Sequence, residues 1–246
     1  MIQILAITLG LIMGSFLSML IPRLHNGDKG IISGRSKCPF CKKILGALEL
    51  IPLFSFIFQK GECKECKKKI PFWYPAIEIT MAAGFLGITY YFGTFMEMGI
   101  WAALYWIFLY IFFYDLRYKE IHDVVLIPGI IFALGASFFI GDPISSLIGA
   151  AIAILFFGVQ FVVSRGKWLG SGDIFIGAFM GLVLGWELTL VAIFISYILG
   201  SVIGVGLMIF NKAKGETAVP LGPFLVLGSM IAFLYGDQLI QLYLGL

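Results

Sequence analysis

Apolar residues run along this chain in long blocks separated by short polar interruptions, and most blocks approach the roughly 20 residues that a helix needs to cross a hydrocarbon core. Eight spans are expected, near 2 to 21, 75 to 92, 98 to 114, 124 to 140, 144 to 163, 174 to 186, 188 to 210 and 219 to 241. The sixth is short, which leaves seven spans or a re-entrant segment as alternatives. The first block begins MIQILAITLG with no basic group ahead of it, so it reads as a span and not as a cleaved signal. The expected fold class is an all-α polytopic membrane protein of about eight transmembrane helices. One long polar insertion, 22 to 74, separates the first helix (1 to 21) from a membrane-embedded region (75 to 246).

Composition agrees with the pattern: the chain is 60 % hydrophobic and 13 % charged, which excludes an ordinary water-soluble domain. Charge adds orientation. All 17 Lys and Arg residues fall in the segments 22 to 74, 115 to 123, 164 to 173 and 211 to 218. Cytoplasmic connections retain Lys and Arg, so these four are expected inside and the N-terminus outside. The net charge of +3 therefore reports topology. It makes no case for nucleic acid, although the basic insertion can rest on anionic lipid of the bilayer.

The insertion holds all four cysteines, as Cys38-Pro-Phe-Cys41 and Cys63-Lys-Glu-Cys66 with 21 residues between the pairs. Two such turns can converge four thiolates on one tetrahedral Zn²⁺ in a zinc-ribbon-like loop domain, with flanking lysines favouring the thiolates. Disulfides and metal-free thiols are the competing readings, and a reducing compartment disfavours the first. A closed four-thiolate site has no open position, so its metal would hold the loop together and not activate water. Within the insertion, the stretch Leu48 to Phe58 is apolar enough to be either the loop's own core or a segment lying against the membrane.

Three of the six aspartates, Asp115, Asp123 and Asp173, sit where an expected span meets the cytoplasm. Asp115 ends an aromatic run, and Asp173 closes Gly170-Ser171-Gly172-Asp173, where glycines let the backbone bend and another segment approach. Two facing carboxylates in a low-dielectric site share one proton, which is the state that hydrolyses a peptide through an activated water. A boundary carboxylate is also what a solvated span end presents, and Asp123 and Asp173 both suit an N-cap. His122 reads as a proton relay or as a surface histidine.

Taken together the motifs resemble a known family, the bacterial type IV prepilin peptidases of the GxGD aspartic protease class. Gly14-Ser-Phe-Leu-Ser-Met-Leu-Ile-Pro-Arg23 is similar to its N-terminal motif, followed by the two cysteine pairs and by Tyr74-Pro75-Ala76-Ile77-Glu78. Asp115 to Asp123, Gly170-Ser-Gly-Asp173 and Pro220-Leu-Gly-Pro-Phe-Leu225 continue the match in order. His122 stands where the family usually has Pro, and Phe175 where it often has Lys. The resemblance implies that Asp115 and Asp173 are the catalytic pair, supported by Asp123, Gly170 and Gly172, and that Cys38, Cys41, Cys63 and Cys66 bind Zn²⁺. It implies an inner-membrane enzyme acting on prepilin or pseudopilin precursors, cut after a leader Gly on the cytoplasmic face. Many members then methylate the new N-terminus with S-adenosylmethionine; Glu78 belongs to that site or is a buried polar partner.

Two readings from other classes stand beside this one, a small transporter or ion pathway and a non-catalytic pilin-assembly scaffold. Helix packing is expected at Gly177, Gly181 and Gly185 and at Gly200 and Gly204, each spaced four apart.

Overall fold

The computed structural model describes residues 1–28, 34–209 and 220–245. Helices dominate: α1 (Ile2–Asn26), α2 (Phe54–Phe58), α3 (Trp73–Tyr91), α4 (Phe95–Tyr118), α5 (Asp123–Ile140), α6 (Pro143–Ser164), α7 (Ser171–Ile209) and α8 (Gly222–Leu244). Six of them, all but α2 and α3, are long and apolar enough to cross a membrane. The chain is thus an all-helical, multi-pass membrane protein. The basic segment 211 to 218 lies outside the described residues.

Two compact units are formed, Met1–Tyr110 and Ile111–Leu246, with the division inside α4. In the first, α1 packs along α3. Gly10 and Gly14, one turn apart, let the backbones meet: a Cβ at Gly14 would stand 2.8 Å from the Glu78 Cα. The Tyr105 hydroxyl of α4 donates to the Thr80 carbonyl of α3 at 2.8 Å. Gly27, in the left-handed region with φ 65°, ends α1 by donating to the Leu24 carbonyl.

The stretch Leu48 to Phe58 folds into a 3-10 turn (Ala47–Glu49) and the short α2. Part of it faces outward, with Leu48 74 %, Ile57 68 % and Phe58 82 % exposed, while Leu53 and Phe56 are half-buried and Phe56 packs against Gly61. The stretch thus presents one outward apolar side and one side packed within the loop.

In the second unit α7 packs on α5, α6 and α8. Its 39 residues would run roughly 58 Å as one helix, nearly twice a hydrocarbon core. It is instead broken at Gly185, with φ 75° and ψ 175°, so the segment turns where the sequence predicted a boundary one residue later. The Ser145 hydroxyl accepts from Trp186 N–H at 3.3 Å, satisfying a donor beside the break.

Gly149 of α6 and Gly181 of α7 let the two helices approach closely, since a Cβ on Gly149 would lie 2.7 Å from the Gly181 carbonyl oxygen. Further along, the fully buried Phe157 of α6 packs against Gly177, where a Cβ would lie 2.6 Å from its ring. The expected face through Gly177, Gly181 and Gly185 is therefore a packing face. Of the second pair, Gly200 meets Phe224 of α8 at ordinary contact distance, while Gly204 meets open space among the described residues. Spacing alone cannot tell which face of an evenly apolar helix meets a neighbour.

Replacing Gly181 by Leu should lower the thermal unfolding midpoint in detergent, by the several degrees that about 1–3 kcal/mol of overpacking implies. Gly204→Leu should leave it unchanged. Equal midpoints for the two variants would show that the α6–α7 approach does not constrain the fold.

Candidate active site

Asp115 lies in the last turn of α4 and is buried, with 5 % of its surface exposed. A carboxylate removed from water needs donors. One comes from the start of α8, where the first N–H groups have no partner within the helix: Gly222 N–H donates to Asp115 Oδ2 at 2.8 Å. The residue at 222 must be small, because a Cβ there would fall 2.6 Å from that same oxygen. Pro223 follows at a position where a missing N–H costs nothing.

Asp173 sits in the first turn of α7 and is half-buried. Its Oδ2 accepts from Gly170 N–H at 3.0 Å, while its own N–H donates to the Gly170 carbonyl at 3.2 Å. The Gly-Ser-Gly-Asp run is thereby a closed turn that fixes the carboxylate. Gly172 gives room for Ile121, whose Cδ1 would lie 2.9 Å from a Cβ at 172, so the α4–α5 connection rests on this turn. The charge of Asp173 acts on the Asp115 carboxylate.

Asp123 starts α5 and is exposed, outside this arrangement. His122 is half-buried with its ring edge-on to Tyr114 at 6.3 Å between centroids. Gly222 is the residue that sequence reasoning left without a role. The segment Pro220 to Leu225 was visible as a motif, but nothing along the chain pairs it with an aspartate 107 residues earlier.

The four cysteines are free thiols whose sulfurs all lie within 4.8 Å of one another. Each pair sits on a matching turn. Cys38 N–H donates to the Lys43 carbonyl at 2.9 Å and Cys63 N–H to the Lys68 carbonyl at 3.0 Å, with Lys42 (φ 60°) and Lys67 (φ 56°) left-handed at equivalent places. Contacts between the pairs are 3.9 Å for Cys38 to Cys66 and 4.0 Å for Cys41 to Cys63. Four sulfurs about 2.3 Å from one tetrahedral ion would be about 3.8 Å apart, so the set fits Zn²⁺ with little movement. A disulfide would need sulfurs at about 2.0 Å.

The backbone N–H groups of Cys66 and then Glu65 bring the Cys63 thiol down to about 7. Although Lys43 N–H favours the Cys41 thiolate, burial and the neighbouring thiols push Cys41 up to about 11. A divalent ion would favour the thiolate of each cysteine it binds. Glu49 is held low by the Gly46 N–H at 2.9 Å and then by Lys43 at 3.5 Å.

Glu78 of α3 is buried, and its Oε2 accepts from Leu53 N–H at 2.8 Å. Ser15 of α1 donates to the same carboxylate. It borders a cavity of about 580 Å³ wholly within the first unit, which also touches Arg23, Cys38 and Cys63.

Two family descriptions match the chain: "Bacterial Peptidase A24 N-terminal domain" over residues 8–92 and "Type IV leader peptidase family" over residues 102–205. Among curated relatives, a Bacillus subtilis protein named prepilin leader peptidase/N-methyltransferase is 35 % identical, with 96 % of this chain and 95 % of the relative aligned. Proteins of the same name from Stutzerimonas stutzeri and Pseudomonas aeruginosa are 29 % and 27 % identical, each alignment taking in 97 % of this chain and 92 % of the relative. No solved structure matches it. The chain belongs to the bacterial type IV leader peptidase family, and it is a membrane enzyme of the prepilin peptidase class.

Gly222→Ala should leave the protein folded but slow precursor cleavage by about a hundredfold, because the added methyl displaces the Asp115 carboxylate by a good fraction of an ångström. Wild-type rates in that variant would show that the contact with α8 is incidental. Metal analysis of the purified protein should give one zinc per chain, lost in Cys38→Ser with Cys63→Ser; retention of zinc in that double variant would place the metal elsewhere.

Proposed function

We propose that this protein cleaves the leader from prepilin and pseudopilin precursors at the cytoplasmic face of a bacterial inner membrane, using Asp115 and Asp173 as the catalytic pair, and then methylates the new N-terminus. The observation that carries the peptidase reading is that two carboxylates of the second unit are each held by a backbone N–H group, Asp115 by Gly222 and Asp173 by Gly170. Membership of a peptidase family favours this reading over an ion pathway or a scaffold.

The break at Gly185 makes α7 two crossings, and with α3 the protein crosses eight times, N-terminus outside. The C-terminal end of α4 and the N-terminal ends of α7 and α8 then all lie on the cytoplasmic side. A precursor whose basic leader stays inside while its apolar helix enters the membrane would present its Gly bond at that level. Residues 22 to 74 form the zinc-bearing loop domain and 75 to 246 the peptidase domain.

In the reaction the pair shares one proton. The ionised member takes a proton from water, whose oxygen attacks the scissile carbonyl carbon. The protonated member donates toward the carbonyl oxygen; as the C–N bond breaks, the leaving amine receives the proton taken from water, and the diol returns a proton to the other carboxylate. The pair titrates jointly, so the two protonation states belong to both residues. Gly222 and Gly170 each occupy one carboxylate oxygen, leaving the other to face water and substrate. Zn²⁺ would tie the two cysteine turns together and takes no part in these steps. S-adenosylmethionine, when bound, supplies the methyl group for the second activity.

Asp115→Asn and Asp173→Asn should each reduce cleavage of a purified precursor in liposomes by at least about a hundredfold. Asp123→Asn, altering an exposed residue, should stay near wild type. Near-normal cleavage by either member of the pair would refute the assignment, and loss of activity in Asp123→Asn would move the chemistry to that residue.

A further inference from the structure

Two polar side chains meet inside the second unit, within helices long and apolar enough to cross a membrane. The Tyr197 hydroxyl, on the second arm of α7, donates to Gln160 Oε1 of α6 at 2.8 Å. Gln160 Nε2 in turn donates to the Phe156 carbonyl of its own helix at 3.2 Å. A carboxamide carries two N–H hydrogens and two acceptor lone pairs, so these bonds use half of its capacity. The remaining half, one donor and one acceptor, is what a single peptide group requires. Both side chains are half-buried, while Ala192, Ile193 and Ser196 on the adjoining turn of α7 are buried. Polar groups that served only to join two helices would be sealed between them, because lipid offers no hydrogen bonds to an open side.

Depth places the pair beside the chemistry. Phe157 of α6 packs against Gly177 on the first arm of α7, and its neighbour Phe156 lies edge-on to Tyr197 on the second arm, with 5.6 Å between ring centroids. The two arms therefore flank one turn of α6. Asp173 stands as many residues before the break at Gly185 as Tyr197 stands after it, about 18 Å along either arm at the usual helical rise. The charge of Asp173 reaches Tyr197.

We infer that Gln160 positions the substrate, its carboxamide pairing with a peptide group of the precursor next to the scissile bond, and that Tyr197 fixes the direction of that carboxamide; the inference rests on the peptidase reading above. A bond can be cut only where the precursor has opened into extended chain, and opening a helix at membrane level strips its N–H and C=O groups of their partners. An apolar wall at this depth would leave those groups unpaired, and a charged one would itself be costly in lipid. A neutral carboxamide matches both halves of a peptide group without adding charge beside Asp173. Its partner is backbone, so the contact serves precursors of differing sequence.

The test is steady-state cleavage of a synthetic precursor by the full chain in liposomes, with thermal unfolding followed on the same preparations. Gln160→Met keeps the length of the side chain without its carboxamide, and Tyr197→Phe removes one oxygen. Each should raise KM by about tenfold, the scale of one hydrogen bond to substrate, with kcat held within about twofold. Precursors carrying a single backbone ester in place of an amide, scanned on either side of the scissile bond, identify the partner. At one position the ester should cost the wild type about tenfold in kcat/KM and cost Gln160→Met far less, whereas a helix-packing role alone leaves the two penalties equal. Unchanged KM in both variants, or equal ester penalties at every position, overturns the assignment and leaves the roles of Asp115 and Asp173 intact. A folded wild type that cuts no precursor overturns the peptidase reading and this inference together. If Gln160→Met fails to fold, Tyr197→Phe and the same ester series in that variant decide the matter.

Discussion

A carboxylate placed where a helix enters hydrocarbon cannot rely on water, so something else must supply its hydrogen bonds. In this protein backbone N–H groups do so. Asp115 takes Gly222 N–H from the first turn of α8, Asp173 takes Gly170 N–H from its own turn, and Glu78 takes Leu53 N–H from the loop. Asp142, at the start of α6, accepts from Ile144 and Ser145 in the same way. Backbone donors are fixed by the chain path and lack the freedom of side chains. Each carboxylate is accordingly oriented by the course of the backbone around it, and the site is as rigid as the helix ends that build it.

The same constraint explains where glycine is needed. A backbone N–H can reach a buried carboxylate only if no Cβ stands in between, and two helices can close on each other only where side chains are absent. Gly222 meets the first demand, and Gly149 with Gly181 meets the second. The α6–α7 approach holds α7 in the second unit, and α7 carries Asp173 at its start. Packing within that unit and orientation of the carboxylate are thus linked through one helix.

The cysteine cluster follows a different logic, because it lies in the polar insertion and has water available. There two short turns with left-handed lysines repeat the same geometry and converge four thiols. A divalent ion bound there would take the four as thiolates and cross-link the two turns. The family match, in two segments that leave 93 to 101 between them, is consistent with two chemical tasks carried in one chain.

Much of this could be read along the chain. Block length and the segregation of all 17 basic residues set the membrane class and the expected sidedness, because lipid imposes these rules on composition before any packing occurs. The cysteine pairs pointed through local spacing to the cluster of four thiols that could hold a metal, and the order of short motifs pointed to the family. What the sequence left open depended on contacts between distant segments. That Gly222 would hold Asp115, that Asp123 would stay exposed, that Gly10 and Gly14 would pack while Gly204 would not, and that Glu78 would edge a cavity were all decided by tertiary structure. In a helix apolar on every side, no periodicity marks the face that meets a neighbour, so only the folded arrangement chooses it.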